Sequence, residues 1–202
     1  MKITAIVLSL LVCAFAAQAQ TVVLDYNMNQ TPDLQGFSLA GSCSNVWSAA
    51  GGILQFRDCV GGSPWAFARN DNLLVGATTV QVDARMRILD SDPNSYAFEF
   101  MLGRNNTACY CKVKASDFGD TQWHDLTLFY NYGANSFASY VDGNPVAIDH
   151  VWAGNSTFII GDGNSGYTWG NVDFSSLKVT VGYEHAVTVE HAAWGAIKGL
   201  YR

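Results

Sequence analysis

Between residues 79 and 89 every second side chain is apolar. Val80, Val82, Ala84, Met86 and Ile88 fall on one face of an extended chain, and Gln81, Asp83, Arg85 and Arg87 fall on the other. Successive side chains of a strand point to opposite faces, so a period of two held over this length describes a strand with one buried and one wet face. The pattern recurs at residues 95–103, where Tyr96, Phe98, Phe100 and Leu102 share a side, and at residues 123–145. There Leu126, Leu128 and Tyr130 alternate with Thr127 and Phe129, and Phe137, Ser139 and Val141 alternate with Ala138 and Tyr140. The Asn/Gly-rich residues 131–136 join these two runs, and Asp142-Gly143-Asn144-Pro145 ends them, as in a β-meander. Further strands are expected at 21–25, 36–40, 52–56, 65–68, 108–114, 146–150, 156–160 and 172–182, with a connector at 70–76 and a turn at 152–155. About eleven to thirteen short strands, Gly-rich turns and no long helix predict an all-β fold: a two-sheet antiparallel jelly-roll sandwich.

Residues 1–19 stand outside that pattern. Lys2 supplies a positive start, residues 3–17 a largely apolar core, and Ala17-Gln18-Ala19 a small-x-small cleavage site. The segment is expected to be a secretory signal peptide. Its apolar run is too short and wrongly flanked for a stable membrane span. Cleavage leaves 183 residues: a sandwich over residues 20–186 and a short C-terminal tail at 187–202. The expected destination is extracellular or periplasmic, with no transmembrane segment in the mature chain. Losing Lys2 takes the formal charge from −6 to −7. A chain this acidic has no footprint for nucleic acid. Anionic polysaccharides and anionic lipid surfaces are likewise poor partners for its overall charge. Charged residues make up 14% of the chain, below the usual quarter. Their place is taken by 19 Gly, 6 Trp, 9 Tyr and 11 Phe.

Cys13 leaves with the leader, and Cys43, Cys59, Cys109 and Cys111 remain. An even count in a secreted chain suggests disulfides, with three possible connectivities. Cys43–Cys59 is the favoured pair, on neighbouring early strands. Cys109 and Cys111 face the same side of one strand, where a bridge between them would be strained. A metal is the sharper alternative for that pair, although no CxxC pair or histidine at zinc spacing accompanies it.

Four segments of the second half carry a family resemblance. Trp123-His124-Asp125-Leu126-Thr127-Leu128 resembles the Trp-His-x-[Leu/Val] strand of the laminin-G-like branch of the concanavalin A-like superfamily. Tyr140-Val141-Asp142-Gly143-Asn144-Pro145 resembles its Tyr-[Val/Leu]-Asp-Gly strand and turn, and Phe158-Ile159-Ile160-Gly161-Asp162-Gly163 its [Ile/Phe]-x-Ile-Gly segment. Gly170-Asn171-Val172-Asp173-Phe174-Ser175-Ser176-Leu177-Lys178-Val179 is similar to its closing strand. The resemblance spans roughly residues 80–181. It implies a non-catalytic module for sugars or proteins, in some members with bound calcium.

The residues themselves narrow the chemistry. Retaining glycosidases of this fold set paired carboxylates on one strand so that nucleophile and acid share a cleft. Here the glutamates are Glu99, Glu184 and Glu190, none of them paired. No Gly-x-Ser-x-Gly elbow, His-Glu-x-x-His or phosphate loop occurs. The chain therefore leans away from catalysis, with a glycan hydrolase as the outlying alternative. Asp90, Asp92, Asn94, Asp162 and Asn164 read first as turn formers. If structural calcium binds, Asp25 and Asp173, on the first and last strands, are the leading candidates. His124 reads as a scaffold residue on the wet face of its strand, and Trp47 and Trp123 read as core. Sugars stack on exposed indole and phenol faces while their hydroxyls find polar partners. Trp65, Trp152, Tyr167 and Trp169, in or beside turns, are the expected ligand platform. The expected partner is a glycan, or alternatively an extracellular protein held by an adhesive surface.

Overall fold

Alternation becomes pairing wherever two such segments meet. A computed structural model describes residues 20–43, 46–57, 66–91, 96–162 and 170–182. The strands are β1 (Gln20–Asp25), β2 (Ser38–Gly41), β3 (Trp47–Ala50), β4 (Ile53–Arg57), β5 (Ala66–Asn70), β6 (Thr79–Ser91) and β7 (Phe98–Arg104). They continue with β8 (Thr107–Val113), β9 (His124–Asn131), β10 (Ser136–Val141), β11 (Asn144–Pro145), β12 (Asp149–Ala153), β13 (Phe158–Asp162) and β14 (Gly170–Gly182). Eight strands form one sheet in the order β11-β10-β9-β6-β14-β4-β3, with β1 also paired to β14. Six form the other, in the order β12-β8-β7-β13-β5-β2. Every pairing is antiparallel. The protein is a two-sheet jelly-roll sandwich.

The core is the set of inward faces that the alternation marks. Val80, Val82, Ala84, Met86 and Ile88 of β6 are buried, as are Leu126, Leu128 and Tyr130 of β9. Phe98, Phe100 and Leu102 of β7 meet them from the six-stranded sheet. Phe98 stands at the centre: its ring lies 5.3 Å from Phe56, 5.0 Å from Phe174, 5.1 Å from Phe100 and 6.3 Å from Trp47, all edge-on. The β9–β10 hairpin pairs as expected, from Ser136 opposite Asn131 to Val141 opposite Leu126. The turn that follows needs positive φ at two successive residues, 50° at Asp142 and 75° at Gly143, which Asp-Gly supplies with little strain.

Several elements depart from expectation. β3 forms from Trp47-Ser48-Ala49-Ala50, a segment without β-branched residues; it is an edge strand secured by pairing with β4. The strand expected at 146–150 begins instead at Asp149 and runs to Ala153. Trp152 therefore sits in an edge strand rather than in a turn, because β12 pairs in register with β8, Trp152 opposite Cys109. Short 3-10 helices form at Pro32–Gln35 and Ala115–Asp117. Among the described residues no helix is long and apolar enough to cross a membrane.

Cys109 and Cys111 are free and buried on the same core face, their sulfurs 3.7 Å apart. Cys43 is not a free thiol; Cys59 lies outside the described residues, as do residues 1–19 and the tail expected at 187–202.

Candidate functional site

At one rim of the sandwich, side chains from both sheets build a continuous aromatic run. β12 is the edge strand of the six-stranded sheet, and a full set of exposed residues marks it as such. Its Trp152 reaches across to β9 of the other sheet and stacks on Tyr130 at 5.2 Å, with the planes 34° apart. Tyr130 is fully buried beneath this lid, whereas Trp152 keeps 45% of its surface exposed. His150 packs edge-on against Trp152 at 5.2 Å and lies 4.6 Å from Phe137 of β10. On the other side Tyr130 meets Tyr132 at 4.5 Å. The Arg104 guanidinium, at the end of β7, lies 5.1 Å above the Tyr132 ring.

Polar groups hold this run in place. The Tyr130 hydroxyl hydrogen-bonds Asn135 at 3.0 Å, and Tyr132 O–H donates to the Leu102 carbonyl at 3.2 Å. Burial pushes the Tyr132 phenol well above its ordinary range, so the group stays a neutral donor. The result is an indole braced from behind and open in front. Such a surface offers a π-face to the C–H side of a ring at little entropic cost, because it is already ordered.

Of the four aromatics expected to form a ligand platform, Trp152 is described; Trp65, Tyr167 and Trp169 lie outside the described residues. The partners of Trp152 were not foreseen. Tyr130 reads from its alternation as plain core, and only the sheet topology brings it under an indole more than twenty residues later in the chain.

Asp25 and Asp173 are not brought together. Asp25 stands opposite Lys178, five residues along β14 from Asp173, roughly 15 Å at the usual rise per residue. Asp173 is buried, and both of its carboxylate oxygens are engaged. Arg87 donates from Nε at 3.0 Å and Nη2 at 2.8 Å to one, and Arg57 donates to the other. These two residues do not fit a calcium site, because guanidinium groups occupy the oxygens a cation would need. Arg87 also lies 4.6 Å over the Trp123 ring, so this indole is half-buried rather than core.

His124 also differs from expectation. Its side chain is mostly buried, packs on Phe118 at 5.4 Å and is clamped by two carboxylates, Asp142 at Nδ1 (2.7 Å) and Asp120 at Nε2 (2.9 Å). Both ring nitrogens must donate, which requires the imidazolium. The hydrogen bond to Asp142 raises the His124 pKa, with Asp120 adding to it against the cost of burial. Asp142 is lowered first by the Asp125 N–H and then by His124; Asp120 is lowered first by the His124 hydrogen bond. A raised histidine pKa stabilises the fold fully below the unfolded value near ~6.5 and loses that contribution as pH rises through the folded value. The lowered carboxylates contribute above their unfolded value near ~3.9 and lose that as pH falls through the folded one. Urea-unfolding midpoints should therefore fall as pH is raised from 6 to 9, and His124→Gln should flatten that slope; equal slopes in both proteins would refute the clamp.

A third polar cluster lies on the outer face of the six-stranded sheet. Tyr110 O–H donates to Glu99, and both are buried beside Met101 and Ile159. Burial, then the Glu99 charge, lifts the Tyr110 pKa far above its usual range. A carboxylate with no exposed surface is not presented to a ligand.

No family model matches the sequence, and no curated protein matches it. Among solved structures, a carbohydrate esterase of the Shiga toxin-encoding bacteriophage phi24B superposes with a TM-score of 0.55 at 19% identity, over 81% of this chain and 100% of that one. The endo-beta-1,3-glucanase of Pyrococcus furiosus gives 0.48 at 10% identity, over 83% and 97%. The VIP36 exoplasmic/lumenal domain, bound to Ca2+ and Man3GlcNAc, gives 0.48 at 9% identity, over 79% and 88%. The likeness to the first of these is a likeness of fold.

Proposed function

We propose that the protein is a secreted, non-catalytic carbohydrate-binding module whose platform is the Trp152 rim. The observation that carries this reading is an indole stacked on Tyr130 and yet 45% exposed. An exposed aromatic braced in one orientation suits sugar stacking. The similar structures named above add support, since their names speak of carbohydrate chemistry and glycan binding. The laminin-G-like segments, the signal peptide and a Cys43–Cys59 bridge belong to the same proposal. An adhesive surface for proteins is the competing reading.

A glycan array probed with the secreted chain, followed by calorimetry on the strongest ligand, tests the proposal. Trp152→Ala should weaken binding at least about tenfold, as expected for a central aromatic contact. Because it uncovers Tyr130, it should also lower the unfolding midpoint, so affinities are compared well below that temperature. Absence of any glycan signal, or full affinity in the Trp152→Ala protein, would overturn it.

A further inference from the structure

The geometry points to a carboxylated sugar as the ligand of this rim, with Arg104 as the residue that reads the charge. This inference rests on the glycan-binding reading above.

Arg104 closes β7 and opens a turn in which Asn105 and Asn106 take positive φ, 47° and 60°. In the antiparallel ladder it faces Thr107, while Leu102, two residues earlier, faces Cys109, and Cys109 faces Trp152. Arg104 and Trp152 thus lie two rows apart in the same sheet, with the Gly103–Ala108–Ala153 row between them. The stacked Tyr132 and Tyr130 connect them, at 5.1 Å, 4.5 Å and 5.2 Å in succession.

Among the described residues no carboxylate neutralises the charge on Arg104. Arg57, Arg69, Arg85 and Arg87 each have a carboxylate partner. Its contact is the π-face of Tyr132. That contact orients the planar guanidinium and leaves its edge of N–H donors unused. A planar fork held in one orientation suits bidentate capture of a carboxylate. Tyr130 is buried between Trp152 and Tyr132, so an oligosaccharide with one ring on Trp152 would present the carboxylate of a neighbouring ring, not of the stacked one, to that edge. The net charge of the chain opposes anions at long range, but screening confines this repulsion to about 8–10 Å at physiological salt. At contact distance the local cation decides.

The test uses the full secreted chain and matched probes: acidic oligosaccharides, oligogalacturonate among them, and the same oligosaccharides with their carboxylates methyl-esterified. The wild-type protein should bind the free acids about tenfold or more tighter than the esters, the usual worth of a charge-assisted hydrogen bond. Arg104→Gln should abolish that preference while retaining the Trp152-dependent binding of the esters. Arg104→Lys, which keeps the charge but not the fork, should recover only part of it. Equal affinity of the wild-type protein for acids and esters would overturn the inference and leave the glycan-binding reading standing. A preference that survives Arg104→Gln would also overturn it. No binding of either probe set or of any arrayed glycan would end both. The acid–ester comparison is made on the wild-type chain, so it decides even if a variant folds poorly.

Discussion

Phe98→Ala is expected to lower the stability of the sandwich by about 3–5 kcal/mol, the range for emptying a large aromatic site in a packed core. Phe98 comes from the six-stranded sheet. Its edge-on partners Phe56, Phe174 and Trp47 come from β4, β14 and β3 of the other. Removing the ring withdraws the contact through which the two sheets meet and leaves a cavity that rigid strands on either side cannot close. Phe98→Leu, which keeps most of the volume, should cost less than half as much. Urea unfolding with an unchanged m-value checks both. A loss below about 1 kcal/mol for the alanine variant would show that the neighbouring rings collapse into the space.

The second large effect belongs to Asp173. Its carboxylate is buried on β14, and Arg57 and Arg87 cover it with their guanidinium groups, each about one-third exposed. Replacing both arginines by methionine leaves a buried charge without a partner, a change that typically costs 3–5 kcal/mol. The expected value is about 3 kcal/mol, the lower end, because the arginines lie on the solvent side and water enters when they leave. Adding Asp173→Leu to that double variant should recover most of the loss, since the charge rather than the packing is at fault. If the triple variant is no more stable than the double, the cost lies in lost contacts of the arginine stems.

Much of the fold was legible because its strands keep one face wet. In β6, Gln81, Asp83, Arg85 and Arg87 stand between the core residues, and the alternation gives both the element and its orientation. The same signal fails where both faces are alike. β12 is exposed throughout, so nothing in its sequence separates strand from turn, and only pairing with β8 defines it. β3 is two alanines and a serine after a tryptophan, a composition with little β preference of its own. The site was legible to the extent of one residue. Trp152 was picked out because its segment reads as a turn, but its stacking partner Tyr130 stands on β9 of the other sheet, and their meeting is a property of strand order. Tyr130 carried the opposite signal, since burial is what its alternation announces. His124 was misplaced against its own parity. It shares the face of Leu126, Leu128 and Tyr130 and stands opposite buried Met86, so it begins the inward face, where Phe118 and two loop carboxylates enclose it.

The position of β14 has a consequence for how the chain acquires its fold. This strand lies between β6 on one side and both β4 and β1 on the other, and it places Gln20 opposite Gly182. The first and last of the described strands are thus partners, and the pairing spans nearly the whole described chain. Contacts this distant in sequence are reached slowly, because loop-closure entropy is lost before they return anything. A ribosome-bound chain that has not yet released β14 holds β1, β4 and β6 with nothing to join them. Completion of the larger sheet therefore waits for β14, and until then β4 and β6 lack the partner that joins them.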